Sequence, residues 1–440
     1  MSIRPRLGFF DLTMIVISLV IGIGIFRTPQ IVAQKAGTPE IFFLAWIVGG
    51  IVSFCGALTF AEIGSRYPVA GGFYKTFSYC YHPAVAFMLN WVLVVINAGS
   101  CAGVALIGAE YINPVLPASL QNQLGIRITV IAVIVILFVL NLLGIKMGAR
   151  TQNLLSSIKI GMIALFSFSI LGSASAQSSG ELLPHTATVD TLKAFGISLI
   201  SVFFTYGGYQ QTINFGADVQ EPQRNIPRAI LAGITIILIL YLCINYAYVS
   251  VLGFKGVQSS PLLAADLARS FFGEVGSRIT SLTIFISVCG FLNVSIMSNP
   301  RVYYAMAEDK VLPSIFQKVN DRTQVQEFAL CFFVILILVS FFLLGTFEKI
   351  VNYVMFIDTI SLASLASCIF ILRNRAKEGE TYTGYRIRWF PLIPVVFILM
   401  ILIVTANVLF SDPVSSIYGL CILAGGLPLF FLARRIIDRE

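Results

Sequence analysis

Three ionisable residues, Glu62, Lys159 and Asp358, stand in otherwise apolar runs of this 440-residue chain, and two glycine pairs, Gly22 with Gly24 and Gly207 with Gly208, interrupt two such runs. Each pattern implies a chemistry. A carboxylate or ammonium in hydrocarbon is costly and is kept where it pairs, titrates or serves an ion path. Closely spaced glycines weaken a helix, and backbone released within a bilayer is tolerated only where it lines a protein-enclosed cavity. An interrupted helix offers free N–H groups at the start of its second half and free carbonyls at the end of its first, so it can hold an anion and a cation side by side. A carboxylate with a neighbouring ammonium fits that pair, which favours an α-amino acid over a sugar or a bare inorganic ion. Either glycine pair taken alone is equally explained by close helix packing.

Other chemistries are poorly served. The eight cysteines, Cys55, Cys80, Cys101, Cys243, Cys289, Cys331, Cys368 and Cys421, are scattered singly, with neither a disulfide framework nor zinc spacing. The two histidines, His82 and His185, lie next to prolines at predicted span edges. No metal site or cofactor is expected. A membrane-embedded enzyme would need a His/Asp/Glu cluster or a motif-supported nucleophile at one depth, and the sequence offers neither.

The elements that must position these groups follow from composition. Hydrophobic residues make up 57% of the chain and charged residues 11%, where soluble domains average roughly 25% charged. With about 20 apolar residues per crossing, the apolar runs predict twelve helices, near residues 9–32, 41–63, 84–111, 127–145, 153–174, 192–217, 229–252, 278–304, 327–345, 350–372, 389–410 and 413–433. An all-α membrane protein is predicted, not a β-barrel, which would alternate with period 2. Arg4 and Arg6 ahead of the first run imitate a secretory leader, but that run is too long and lacks a small-residue cleavage site, so it reads as a retained span. With both termini inside, 20 Lys and Arg fall in cytoplasmic segments and 8 on the opposite face, leaving Lys159 within a span. The positive-inside rule therefore puts both termini in the cytoplasm and accounts for the net charge of +8 without nucleic acid.

The glycine pairs fall near the middle of spans 1 and 6, the first members of two five-span blocks. Interrupted spans at corresponding positions of two halves point to a midplane transport site. The division expected is a first repeat over 1–174, a second, inverted repeat over 175–372, and two peripheral spans over 373–440.

Particular motifs extend this reading. Gly22-Ile23-Gly24-Ile25-Phe26, Glu62-Ile63-Gly64 with Tyr67-Pro68 and Gly71-Gly72-Phe73-Tyr74, and Tyr206-Gly207-Gly208-Tyr209 resemble the amino acid/polyamine/organocation (APC) superfamily. So do the run Glu221 to Ile230, the stretch Gly290 to Asn293 with Ser295 and Arg301, and Leu312-Pro313. The resemblance covers essentially the whole chain and is strongest to L-type amino acid transporters and bacterial serine/threonine or alanine/serine/cysteine exchangers. It implies a LeuT-type 5+5 inverted repeat and alternating access. It also implies a substrate carboxylate on the amides of Gly22, Ile23, Gly24 and Ile25, and an amino group on carbonyls near Val20 and from Phe204 through Thr205 to Gly207. Phe204 would close over the substrate from outside, with Phe203 as the alternative. Lys159 would place its ammonium where sodium-coupled relatives hold sodium, with Ser295 as its neighbour; the residues alone equally allow Lys159 to snorkel to the surface. One departure from the pattern is Ile23, where many L-type relatives carry a small or hydroxyl residue, so substrate preference does not transfer.

The function expected is sodium-independent transport of amino acids across the plasma membrane, as exchange of neutral L-amino acids. Proton-coupled uptake is the alternative; a polyamine antiporter is disfavoured because anionic pocket residues for a dicationic substrate are not evident. The segment between spans 3 and 4, roughly residues 112–126, has no cysteine, so the disulfide-linked heavy chain of animal relatives is not expected. Glu62 reads as a cytoplasmic cap or loop ion pair and Glu110 as interfacial. Asp358 reads as a gate, a proton carrier or a member of an ion pair.

Overall fold

The computed structural model describes residues 3–168, 189–260, 262–343, 347–375, 382 and 384–437. The predicted end of span 5, the repeat boundary at 174/175 and His185 lie outside the described residues.

The chain opens with a helix broken in its middle, α1 (Phe9–Val20) and α2 (Gly24–Ala36), whose axes meet at a 41° bend. Thr38 caps the next helix, α3 (Pro39–Arg66), by accepting the Ile41 N–H, and proline takes its first turn, where no N–H bond is lost. A short α4 (Gly72–Cys80) precedes α5 (Pro83–Ile112), at whose N-terminus His82 Nδ1 accepts the Ala84 N–H. This capping bond gives His82 a structural role. Asn122 likewise caps α6 (Gln123–Leu142) through the Gly125 N–H, and α7 (Ile145–Phe168) follows a turn at Gly144. The second half holds α8 (Val189–Tyr206), α9 (Pro222–Ser259), α10 (Leu263–Glu308), α11 (Glu327–Leu343), α12 (Phe347–Arg375), α13 (Leu392–Ser411) and α14 (Pro413–Ile437).

Among the described residues, nine helices are long and apolar enough to cross a bilayer, and the α1–α2 pair adds a tenth, bent span. Helix α11 is apolar but only 17 residues long, and α7 carries Lys146, Arg150 and Lys159.

Two elements depart from the sequence expectation. The predicted span over 192–217 is not a helix resumed after a break: α8 stops at Tyr206 and the chain continues as 3₁₀ turns over Tyr209–Asn214 and Gly216–Asp218. These tighter turns follow Gly208, whose φ of +117° is open to glycine and strained for any other residue. Helices α9 and α10 also overrun their apolar cores, each bending at a glycine with positive φ, Gly253 and Gly273.

Packing sets the centre and the rim. Helix α1 lies against α9 and α7, α2 against α8, α3 against α8 and α9, and α10 against α5 and α7. In its most apolar stretch α10 is 61% buried and α14 only 22%, so α14 sits at the periphery.

Candidate functional site

At the first break, Ile21 leaves helical geometry and Gly22 N–H folds back to the Val20 carbonyl at 2.9 Å. The second half starts at Gly24 with no side-chain cap. Phe26 N–H donates to the Ile23 carbonyl, while the amides of Ile23, Gly24 and Ile25 have no carbonyl available within the helix. These amides form the positive end of α2.

The carbonyl end of the break meets a cation. Lys159 on α7 is fully buried, and its Nζ donates to the Ile21 carbonyl at 2.5 Å and to Ser18 Oγ at 3.0 Å. Snorkelling to the surface is thereby excluded. From α10, the Ser287 hydroxyl donates to the Gly22 carbonyl at 3.2 Å and lies 3.5 Å from that of Ile21. The α10 hydroxyl at this cage is thus Ser287; Ser295, two turns further along, is not bonded to Lys159, and its own carbonyl accepts the Asn299 amide. Gly290 supplies the room, since a Cβ there would lie 3.1 Å from Lys159 Nζ and 2.8 Å from Ser18 Oγ. The Val20 carbonyl, expected to face a substrate ammonium, accepts both Gly22 N–H and the Tyr241 hydroxyl, the latter at 3.3 Å.

The second break abuts the first. Gly208 packs so closely on α1 that a Cβ would stand 2.2 Å from the Leu19 carbonyl oxygen. Gly207 N–H returns to the Phe204 carbonyl, and Gly208 N–H donates to Gln210 Oε1.

An open cleft of about 900 Å³ descends to both breaks. Ile23, Gly24, Phe204 and Thr205 line it; Arg27, Lys35, Lys193 and Asp412 give its walls and mouth their charge. Ser415 donates to Asp412 through both its hydroxyl and its amide and holds that carboxyl below the usual range. Val20 and Ile25 are buried, whereas Gly22 and Gly207 are half-buried and do not line the cleft. Of the two candidate aromatics, Phe203 is buried against Phe397 and Phe204 faces the cleft.

The opposite end of the bundle is shut by charge pairs. Arg301 grips Asp218 at 2.5 and 3.1 Å with both partners buried, and its guanidinium lies over the Phe215 ring. The Asp218 carbonyl also accepts the N–H groups of Arg6 and Leu7. Nearby, buried Glu62 binds Arg66, Arg373 and the Ile387 N–H, which makes it the anchor of an ion-pair network. Glu110 is exposed at the end of α5.

Asp218, Ser18, Ser287 and Tyr241 are absent from the sequence expectation. Asp218, directly ahead of the Glu221-Pro222 run, was the most accessible of these. Asp218→Asn strands a buried guanidinium and is expected to weaken the closed face by about 3–5 kcal/mol. A cysteine placed at Gln211 should then react faster with a thiol reagent applied from that side; unchanged labelling would mean that the pair does not hold the face shut.

Interrupted helices meeting beneath an open cleft, with the other end sealed, define a membrane permease. A family model for amino acid permeases matches residues 7–431, and the chain belongs to that family, within the APC superfamily; it is a transport protein and not an enzyme. The chain is 30% identical to the serine/threonine exchanger SteT of Bacillus subtilis, over 98% of this chain and 97% of the relative. It is 26% identical to the human large neutral amino acids transporter small subunit 2 (98% and 81% covered) and 24% identical to the human cystine/glutamate transporter (95% and 83%).

Proposed function

We propose that the protein exchanges neutral L-amino acids across the plasma membrane, without sodium, by alternating access. The observation that carries this reading is the Lys159 ammonium on the Ile21 carbonyl, a resident positive charge at the broken helix where a coupling cation would otherwise be needed. The free amides of Ile23 to Ile25 suit the substrate carboxylate, and the apolar Ile23 and Phe204 suit an uncharged side chain. Two of the relatives, a serine/threonine exchanger and a large neutral amino acids transporter, support the same class. In this reading the chain has twelve spans and cytoplasmic termini. A repeat over 1–174 is followed by its inverted partner over 175–372, in the LeuT manner, and two peripheral spans occupy 373–440. The segment of roughly residues 112–126 holds no cysteine for a disulfide to a second subunit.

The test is efflux of preloaded labelled amino acid from proteoliposomes. External neutral amino acid should stimulate efflux equally in sodium, potassium or choline buffer, whereas uptake without internal amino acid, driven by a proton gradient, would replace exchange with symport.

Phe204→Ala should weaken substrate retention through lost aromatic burial, by no more than about 3 kcal/mol for a ring that is only half-buried. Apparent affinity in the same assay checks this, and an unchanged value would remove Phe204 from the substrate path.

A further inference from the structure

A second, much smaller space lies among α4, α5, α10, α12 and the turns after Gly208 and shares no lining residue with the cleft. Its volume is about 30 Å³, room for one or two waters and too little for most amino acid side chains. Primary amides ring it, among them Asn90 and Asn97 of α5, Gln210 and Gln211 after the second break, and Asn299 of α10, and Asp358 of α12 completes the wall.

Each amide of α5 and α10 commits one of its two N–H groups elsewhere. Asn90 Nδ2 donates to the Ala86 carbonyl, Asn97 Nδ2 to Asn299 Oδ1 and Asn299 Nδ2 to the Ser295 carbonyl. This leaves one N–H on each of these amides, together with the Asn90 and Asn97 oxygens, around a carboxylate. Asp358 itself has no hydrogen-bond or ion-pair partner among the described residues. Tyr303 of α10 is the other titratable group on the lining. The charged groups of the helices packed on α12 are committed elsewhere or stand at helix ends. Glu62 of α3 pairs with Arg66 and with Arg373, Glu40 lies in the first turn of α3, and Lys75 of α4 pairs with Glu308 and Asp309. Glu110 ends α5, Asp412 follows α13, and Arg434 and Arg435 lie in the last turn of α14. A carboxylate with no ion-pair partner among the described residues, in a space of water size within a span, is least costly when a proton neutralises it.

The wall of this space is the segment that moves if the sealed end opens. Asn214, which also lines it, accepts the N–H groups of Gly71 and Phe73 and donates to Ser298, and four residues later Asp218 makes the Arg301 pair. We infer that Asp358 is a proton-binding site read from the cytoplasm: it carries a proton while the amide-lined space is shut, and its O–H bond breaks, passing the proton to cytoplasmic water, when the segment after Gly208 swings away. Because the space does not join the outer cleft, the proton is taken up and returned on one side. It therefore regulates the exchange cycle and does not drive it. The inference rests on the exchanger reading for its place in a cycle.

The test reads conformation, not transport. Ile200, on the cleft wall, is replaced by cysteine and labelled from outside with an impermeant thiol reagent in right-side-out vesicles. Lowering internal pH from about 8.5 to about 5.5 should raise the labelling rate several-fold, up to about tenfold per unit for a single titrating group, and external pH should have no such effect. Asp358→Asn, which mimics the acid, should hold labelling at the low-pH rate throughout. An Asp358→Asn protein that keeps the wild-type profile would place the titrating group elsewhere, Lys159 first, and overturn the proposal, as would a wild-type rate indifferent to internal pH. A dependence on internal sodium or potassium that Asp358→Asn abolishes would make the occupant an alkali ion and overturn it equally. If Asp358→Asn does not reach the membrane, Asp358→Glu should displace the midpoint of the profile, and an unmoved midpoint refutes the site. Loss of amino acid exchange in the wild type would overturn the exchanger reading while leaving the labelling result standing.

Discussion

Gly24→Val is expected to reduce transport by about a hundredfold or more while leaving insertion intact, the order of effect that follows from losing about 3 kcal/mol of carboxylate binding. A Cβ at Gly24 would lie 3.2 Å from Thr205 Cγ2, so even alanine presses on the second broken element. The branched valine adds two methyl groups with little freedom to turn aside, next to the amides that the substrate carboxylate needs. Gly22 is the informative control, because a Cβ there meets no protein atom within 4 Å. Gly22→Ala should fold normally and, since Gly22 does not line the cleft, should keep its affinity. Uptake corrected for surface amount measures both; full uptake by a well-expressed Gly24→Val protein would remove the first break from the substrate path.

Lys159→Ala is the second large effect. It deletes two charge-assisted hydrogen bonds, each worth about 1.5–3 kcal/mol, and leaves the Ile21 carbonyl and Ser18 hydroxyl without their donor. The tie between α7 and the break is then lost, and exchange should fall by two orders of magnitude or more, the change that about 3 kcal/mol implies. Lys146→Ala and Arg150→Ala remove exposed charges from the same helix and should exchange at close to the wild-type rate. Initial exchange rates of the three variants in proteoliposomes decide the matter, and a Lys159→Ala protein at full rate in every cation would show that the buried ammonium only fills space.

The breaks themselves were legible because the two glycine pairs fall at corresponding positions of two five-span blocks, and Lys159 stood out as a cation inside a predicted span, with only its bonds to Ile21 and Ser18 ruling out the snorkelling alternative. What escaped the sequence was register and long-range pairing. Ser295 and Ser287 lie on nearly one face of α10 two turns apart, and only the depth at which α1 breaks selects between them. Asp218 and Arg301 are 83 residues apart, and nothing local in either stretch announces that the two meet. The course of the chain after Gly208 was misread for a different reason: Gln210, Thr212 and Asn214 do not mark a change of helix type, and the 3₁₀ turns follow from the packing of Gly208 on the Leu19 carbonyl. That Phe204 lines the cleft and Phe203 does not is likewise a matter of packing, since Phe203 is buried against Phe397.

The seal that joins residues 6 and 7 to Asp218 has a consequence for how the chain is made. Residues 6 and 7 leave the ribosome some two hundred residues ahead of Asp218, and Arg301, which fixes Asp218, arrives later still. Contacts so distant in sequence form late. A nascent chain that already holds α1 to α7 therefore has no means of latching its own N-terminus, and its inner end stays ajar until α10 is inserted. Closure in this sense marks the insertion of α10, and a chain that stops short of Arg301 would present quality-control proteases with a segment around Arg6 and Leu7 that the sealed permease keeps tucked away.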